Sequence, residues 1–193
     1  MSDALSRAKL ARAALGLNAG QLILLTDDER LPDPLAAARR LPPGAIVIVR
    51  ARDAKKRAKL ALALRVIAFA RGLILLIADD PALVRAIGAN GLHLPEIRAH
   101  QAAHWRAKNP HWLITAAAHS LGAVLRSGSA DAVLLSPVFA TKSHRNARAL
   151  TPARARLIAR AVPLPVFALG GITAQNAGQV SGFAGIAAIG ALI

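Results

Sequence analysis

Short runs of aliphatic residues recur along the whole chain and alternate with longer segments in which charged and apolar residues are mixed. Each run is four or five residues long and rich in Ile, Leu and Val, which is typical of strands buried on both faces of a parallel sheet. The pattern predicts eight such strands, LILLT (22–26), AIVIV (45–49), LILLI (73–77), GLHL (91–94), WLIT (112–115), AVLLS (132–136), PVFAL (165–169) and GIAAI (185–189).

Helices are predicted between these strands. Asp33, in Pro32-Asp33-Pro34, opens a segment through Arg40, and Asp53 is suited to cap a long helix ending near Ala70. Apolar residues within that helix recur at helical spacing, at Leu60, Leu64 and Ile67. The other predicted helices begin at Asp80-Pro81 or cover 97–108, 120–127, 151–161 with Pro152 near its start, and 174–181 with Thr173 as its cap.

Strand and helix in regular alternation favour a compact TIM-type (β/α)₈ barrel of the α/β class over an open doubly wound sheet. The chain has 193 residues, near the lower limit for that barrel. We expect one domain over 1–193, with 1–20 as a leading helical extension. The final helix is expected to be missing, because the sequence stops just beyond the eighth strand.

The composition narrows the classes of protein that remain. Hydrophobic residues make up 54% of the chain and mean hydropathy is +0.41, which excludes a disordered protein. The longest stretch without a formal charge, 161–193, contains prolines, amides and several glycines, so no transmembrane helix is predicted. There is no cysteine, which suits a reducing compartment, and we expect a cytoplasmic protein.

The formal net charge of +15 is compatible with nucleic acid, an anionic membrane or small phosphorylated substrates. The densest basic run, RARDAKKR (50–57), contains no aromatic residue, and a solvated helix face explains it better than nucleic-acid binding. We therefore expect small phosphorylated substrates, no nucleic-acid or membrane partner, and leave a homo-oligomer open.

Residues with useful chemistry follow most of the predicted strands, where barrel enzymes carry their active sites. Gly170, Gly171 and Gly190, with a helix start near Thr173, are predicted to cradle a phosphate. The loop from Thr141 to His144 has hydroxyls and cations suited to a diphosphate. Two interpretations of Asp79 stay open: it is a Mg²⁺ ligand or it caps the following helix. His93 and His119 are either functional residues or packed polar residues at strand ends.

The ordered motifs LILLTDD, IVRARD, GANGLHLPE, His119-Ser120, SPVFATKS, PVFALGGI and GIAAIGALI resemble thiamine phosphate synthase and the related thiazole tautomerase over nearly the whole chain. The resemblance implies a compact (β/α)₈ barrel enzyme. Its reaction would join hydroxymethylpyrimidine diphosphate to thiazole phosphate, with Mg²⁺ assisting the departure of diphosphate and thiamine phosphate as product.

The resemblance also implies roles for individual residues. It makes Arg50, Thr141, Ser143 and His144 catalytic residues at the diphosphate, Asp79 a Mg²⁺ ligand, and Gly170 with Gly171 the thiazole-phosphate turn. The remaining candidates for substrate binding are Arg52, His93, Glu96, His119 and Gly190.

The chain departs from the synthase pattern mainly at the pyrimidine-diphosphate end. Ile48, Arg52, Ala78, Ala117 and His144 stand where the family has Gln, Lys, Asn, Ser and Lys. Arg98 stands where the family has its second Mg²⁺-binding Asp, so we expect a weakened metal site. Two alternatives stay open: a tautomerase-like isomerase that uses His93, His119 or Glu96 for proton transfer, and a non-catalytic binder of thiazole or thiamine phosphates.

Overall fold

The computed structural model describes residues 21–141 and 149–189, and its strands close into a parallel barrel in sequence order. The strands are β1 (Gln21–Leu25), β2 (Ile46–Val49), β3 (Ile74–Ala78), β4 (Gly91–Leu94), β5 (Leu113–Ala118), β6 (Ala132–Leu135), β7 (Val166–Leu169) and β8 (Gly185–Ala188). The barrel closes where β8 pairs with β1, with Ile23 opposite Ala187. All eight predicted strands are confirmed, although β5 extends three residues beyond its predicted end.

Helices pack around the barrel between successive strands. They are α1 (Pro34–Arg40), α2 (Ala54–Arg71), α3 (Pro81–Ile87), α4 (Ala102–Lys108), α5 (Leu121–Arg126) and α6 (Pro152–Arg160), with 3₁₀ helices at Glu96–Gln101 and Ala177–Val180. The predicted caps at Asp53 and Asp80 form, since each carboxylate accepts a hydrogen bond from a backbone N–H three residues on. Asp33 caps α1 in the same way. On α2, Leu64 and Ile67 are buried and Leu60 is partly buried, as their spacing predicts.

Two of the predicted helices take a different form. The segment 97–108 begins as the 3₁₀ helix Glu96–Gln101 and becomes α-helical only in α4. The predicted helix 174–181 is wrong, because only a 3₁₀ turn at Ala177–Val180 forms there. Thr173 does not cap it; instead the Thr173 N–H donates to Asn176 Oδ1 at 2.8 Å, which holds the preceding segment in a turn. The expectations for 1–20 and for a missing final helix lie outside the described residues.

The apolar core has two layers, one inside the barrel and one between the barrel and its helices. Ile23, Ile46, Leu76, Leu134 and Phe167 belong to a single buried cluster drawn almost entirely from alternate strand positions. The neighbouring positions on the same strands, such as Leu24 and Val47, pack with helix residues including Leu64. Burial of both faces explains why the strands are continuous aliphatic runs, and it leaves the strand ends as the place for polar side chains.

Candidate active site

The carboxyl ends of the strands form one mouth of the barrel, and a cluster of charged side chains lies where β1 and β2 end. Asp27 Oδ2 accepts hydrogen bonds from the guanidinium groups of Arg30 and Arg50, each at 2.6 Å. The bond from Arg30 is the main reason that the pKa of Asp27 is well below its usual value, since burial alone would raise that pKa. Thr26 fixes the backbone of Arg50, donating to its carbonyl at 3.0 Å and accepting from its N–H at 2.8 Å.

His93 lies on β4 and is buried. Its Nδ1 is 2.8 Å from the hydroxyl of Thr115 on β5. Burial, together with a smaller effect of the nearby charge of Arg50, lowers the pKa of His93 to about 4. The imidazole is therefore neutral at pH 7. These contacts agree with a packed polar residue, and a role in binding substrate stays a prediction.

Asp79, immediately after β3, is paired with a cation. Its Oδ1 accepts a hydrogen bond from Arg98 Nη1 at 2.9 Å, with Arg98 carried on the 3₁₀ helix after β4. The backbone of Asp79 has φ +55°, a left-handed conformation, and its N–H donates to the carbonyl of His93 at 2.9 Å. Asp79 does not cap α3, because that position belongs to Asp80.

A carboxylate and an imidazole are held together after β4 and β5. Glu96 Oε2 is 2.6 Å from His119 Nδ1 and also accepts the backbone N–H of His119 at 2.8 Å. Arg126, at the end of α5, reaches Glu96 Oε1 at 3.4 Å. Because Glu96 contacts both the ring and the backbone of His119, it fixes the ring's position. An open cleft of about 420 Å³ adjoins this group and is lined by Glu96, Ile97, His100 and Arg126.

The loops after β6 and β7 pack tightly against each other through two glycines. Gly170 and Gly171 have φ +96° and +67°, and a Cβ on Gly171 would lie 2.6 Å from the carbonyl oxygen of Ala140. A Cβ on Gly170 would lie 3.4 Å from Thr141 Cγ2, so the structure brings Thr141 and this glycine pair together. The turn continues through Asn176, whose Nδ2 donates to the Gly171 carbonyl at 2.9 Å. Within 21–141 and 149–189, the N–H groups of Gly171 and Ile172 donate to no other group.

The structure separates Arg52 from the other candidates. Its side chain is 91% exposed and lies 3.6 Å from Glu29, itself largely exposed, so solvent screens the pair. Ser143, His144 and Gly190 lie outside the described residues, and their predicted roles stay predictions.

The described side chains do not fit a two-carboxylate Mg²⁺ site. Over 21–141 and 149–189, no group of three His, Asp or Glu side chains is placed to hold a metal ion. Four carboxylates at the neighbouring strand ends already contact cations: Asp27 contacts Arg30 and Arg50, Asp79 contacts Arg98, Asp80 contacts Arg57, and Glu96 contacts Arg126. Asp28 accepts the backbone N–H of Arg52 at 3.2 Å. The magnesium requirement therefore stays a prediction from the family resemblance.

Sequence reasoning assigned no role to four residues that organise this mouth. Thr26 holds the Arg50 backbone, Asp27 holds its guanidinium, Arg126 reaches Glu96, and Asn176 shapes the turn after Gly171. The polar residue that ends the first aliphatic run, Thr26, and the Asp that follows it were the available signals. Nothing in the sequence alone pairs Arg126 with Glu96, 30 residues away.

A closed barrel of parallel strands with its polar side chains at the carboxyl ends of the strands defines the class of (β/α)₈-barrel enzymes. The family model described as thiamine monophosphate synthase matches residues 22–192, and the chain belongs to this family. The family, the barrel fold and a thiamine phosphate synthase-like function in thiamine biosynthesis, all predicted from the sequence, are thereby confirmed.

Similar proteins carry matching descriptions. The putative thiamine-phosphate synthase 2 of Aquifex aeolicus is 33% identical over 132 residues, covering 66% of this chain and 70% of that protein. The thiamine-phosphate synthase of Chlorobium luteolum is 32% identical over 179 residues, or 89% of this chain and 84% of the relative. The solved thiamine phosphate pyrophosphorylase from Pyrococcus furiosus superposes with a TM-score of 0.74 at 25% identity, over 90% of this chain and 87% of its own.

No helix among the described residues has the length and apolar character needed to cross a membrane.

Proposed function

We propose that this chain joins hydroxymethylpyrimidine diphosphate to thiazole phosphate and releases diphosphate, forming thiamine phosphate. The carbon–oxygen bond to the diphosphate breaks, and its electron pair leaves with the diphosphate. The thiazole nitrogen supplies the electron pair for the new carbon–nitrogen bond. The observation that carries the proposal is the meeting of Thr141 with Gly170 and Gly171 at the same mouth as Arg50, in a member of this family.

Arg50 is suited to the leaving diphosphate. Thr26 fixes its backbone, and its guanidinium uses one N–H on Asp27, leaving further donors for phosphate oxygens. Negative charge grows on the diphosphate as the carbon–oxygen bond breaks, so a guanidinium held in place beforehand lowers the barrier without reorganising. Thr141 lies beside the glycine pair, with its methyl carbon 3.4 Å from the Cβ position of Gly170.

The glycine pair is suited to the phosphate of the thiazole substrate. The N–H groups of Gly171 and Ile172 lack partners among the described residues, and the left-handed backbone turns successive N–H groups toward a common side. The helix dipole predicted at Thr173 does not form, because Asn176 holds the turn there and only a 3₁₀ turn lies between it and β8. Phosphate binding at this turn therefore depends on backbone N–H groups.

The test measures the formation of thiamine phosphate from both substrates. The reaction is run in buffer with Mg²⁺ and in buffer with a chelator, and the product is followed by chromatography. The parent should form product, and Arg50→Met should lose about a hundredfold or more in rate, the usual cost of removing one preorganised donor. Arg160→Met is the matched control, since Arg160 ends α6 at the opposite end of the barrel and should leave the rate unchanged. Binding of thiazole phosphate with no product from the parent would reject the synthase and support the non-catalytic binder.

One observation favours a second candidate, a tautomerase-like isomerase. Glu96 holds Nδ1 of His119 at 2.6 Å, so Nε2 is the ring nitrogen left to exchange a proton with a ligand. The His119 side chain is 48% exposed, so the ring can be reached from solvent.

The isomerase is tested by NMR of a thiazole phosphate in D₂O, which records exchange of ring-bound protons without the pyrimidine substrate. Glu96→Gln should keep a hydrogen bond to His119 but reduce catalysed exchange by about tenfold or more, because the neutral amide stabilises an imidazolium less well. Equal exchange with the parent, with Glu96→Gln and without protein would exclude this candidate.

The remaining parts of the proposal follow from the sequence. We infer small phosphorylated substrates, a cytoplasmic location, and no nucleic-acid partner, with a homo-oligomer left open. Size-exclusion chromatography with light scattering tests the last of these directly.

A further inference from the structure

The Asp79–Arg98 pair lies where the sequence resemblance implies a two-carboxylate metal site. Asp79 ends β3, and Arg98 is presented by the 3₁₀ helix that follows β4. Two backbone contacts fix the pair: the Asp79 N–H donates to the His93 carbonyl at 2.9 Å, and the Arg98 N–H donates to the Pro95 carbonyl at 2.9 Å. These contacts hold the two loops, and the guanidinium reaches Asp79 from the neighbouring loop.

The pair changes what the mouth can bind. The charges of Asp79 and Arg98 compensate each other, and a divalent cation approaching Oδ1 would meet the guanidinium 2.9 Å from that oxygen. The adjacent carboxylate of Asp80 does not supply a second ligand, because it accepts from Arg57 Nη2 at 2.9 Å and from the Leu83 N–H at 3.0 Å. A hard divalent cation normally needs carboxylates that it does not share with a fixed positive charge.

The same guanidinium has spare hydrogen-bonding capacity. Arg98 is 52% exposed, and among the described residues its side chain forms a hydrogen bond or ion pair only with Asp79, through one of five N–H donors. Arg50 directly follows β2, the strand that pairs with β3 in the register Val49 opposite Ile77, so its loop adjoins the loop that carries Asp79. Two arginines therefore belong to this side of the mouth, one after β2 and one after β4.

We propose that the guanidinium groups of Arg98 and Arg50 bind the diphosphate group of a ligand directly, and that this binding requires no divalent cation. Guanidinium groups bind phosphate oxygens through paired, charge-assisted hydrogen bonds, and a diphosphate has enough oxygens to engage both arginines. Asp79 then holds Arg98 in position and is not a metal ligand. This inference rests on the proposed function for its choice of a diphosphate ligand.

The test is calorimetric titration of the full chain with inorganic diphosphate, in a chelator and again in excess Mg²⁺. The parent should bind in the chelator, and Mg²⁺ should not tighten binding. Arg98→Met should weaken binding in the chelator by about ten- to a hundredfold, the usual effect of losing a hydrogen bond between charged groups. Arg160→Met, which removes the same charge at the far end of the barrel, should bind like the parent.

Two further variants separate a guanidinium site from a metal site. Asp79→Asn should still bind diphosphate in the chelator, because the amide oxygen can accept the hydrogen bond from Arg98 while a competing negative charge is removed. A metal-dependent site would instead lose binding in this variant. Arg98→Asp places two carboxylates together and should bind diphosphate only when Mg²⁺ is added. Thermal unfolding of each variant shows whether it is folded.

Binding by the parent only in Mg²⁺, or Arg98→Met binding in the chelator like the parent, would overturn the inference. Titration of the same proteins with thiazole phosphate distinguishes this failure from failure of the proposed function. Normal thiazole phosphate binding with Mg²⁺-dependent diphosphate binding overturns only the inference. Loss of both kinds of binding in the parent rejects both proposals.

Discussion

Replacing Gly171 by alanine tests whether the contact between the loops after β6 and β7 shapes the turn at Gly170 and Gly171, which is proposed to bind phosphate. The new Cβ would lie 2.6 Å from the Ala140 carbonyl oxygen and 2.7 Å from Phe139 Cβ, distances at which something must shift. The backbone at φ +67° adds a second cost, because a left-handed conformation is unfavourable for any residue with a Cβ.

The two costs have separate magnitudes. The left-handed conformation costs roughly 1–2 kcal/mol, and overpacking typically costs about 1–3 kcal/mol. We therefore expect Gly171→Ala to lower the free energy of unfolding by about 2–5 kcal/mol, which corresponds to a fall in Tm of roughly 4–20 °C for a chain of this size. The fall is measured by circular dichroism.

Gly88→Ala is the matched control. Gly88 has φ +63°, nearly the same conformation, but nothing lies within 4 Å of its Cβ position, and it ends α3 at the opposite end of the barrel. This variant should show only the conformational cost, roughly 1–2 kcal/mol. Thiazole phosphate binding should weaken at least about tenfold in Gly171→Ala, the scale of one lost hydrogen bond to a charged group, and stay unchanged in Gly88→Ala. Equal stability loss in the two variants, with binding intact in both, would refute this account of the turn.

Two further predictions concern stability. His93 has an unfolded-state pKa of 6.5 and a folded-state pKa of about 4, so the unfolded chain binds the proton first and stability falls as pH drops through this window. Urea unfolding should show a loss of about 2 kcal/mol between pH 7 and pH 5 that His93→Gln lacks, and equal losses in both proteins would contradict it. Asp53→Ala should cost about 1 kcal/mol by removing the cap of α2, whose Lys56 N–H donates to Asp53 at 2.7 Å, while Asp53→Asn keeps the cap. Equal Tm values for the two Asp53 variants would count against the cap.

The sequence predicts the barrel well because burial determines residue type. Strands covered on both faces must be aliphatic throughout, and the eight short runs have this composition. The end of β5 is less clear, since Ala116, Ala117 and Ala118 are small and have no strand preference of their own. Pairing with β6 extends this strand. The residues of the segment alone do not predict that extension.

The failure at 174–181 has a local cause. The segment contains Gly178 and is followed by Gly182. Glycine is unfavourable in a helix, and nothing else at the ends of this segment stabilises one. The side chain of Asn176 hydrogen-bonds two backbone groups before the predicted helix can start, at Thr173 and Gly171. Asparagine offers the backbone an alternative to the helix, and here that alternative prevails.

The mouth positions were predictable from topology, but their pairing was not. Residues after successive strands must meet at one end of a parallel barrel, so Asp27, Arg50, Asp79, Glu96 and His119 are found there. Which side chains contact each other depends on the conformations of two loops that lie about twenty residues apart in the sequence. Arg98 illustrates the limit. The sequence aligns it with a metal-binding position of the family, but it does not predict the hydrogen bond from Arg98 to Asp79.

The pairing follows a rule that bears on how an anionic ligand binds. Neighbouring parallel strands are about 4.8 Å apart, so a carboxylate after one strand reaches a cation from the next, as Asp27 reaches Arg50 and Asp79 reaches Arg98. The net charge of +15 is therefore compensated locally where the ligand would bind. A phosphate or diphosphate must compete with carboxylates already held at 2.6–2.9 Å, so general attraction to positive charge contributes little. Selectivity then comes from geometry, because a ligand with several oxygens can accept from the remaining donors of two arginines at once, whereas a single carboxylate ligand reaches only one of them.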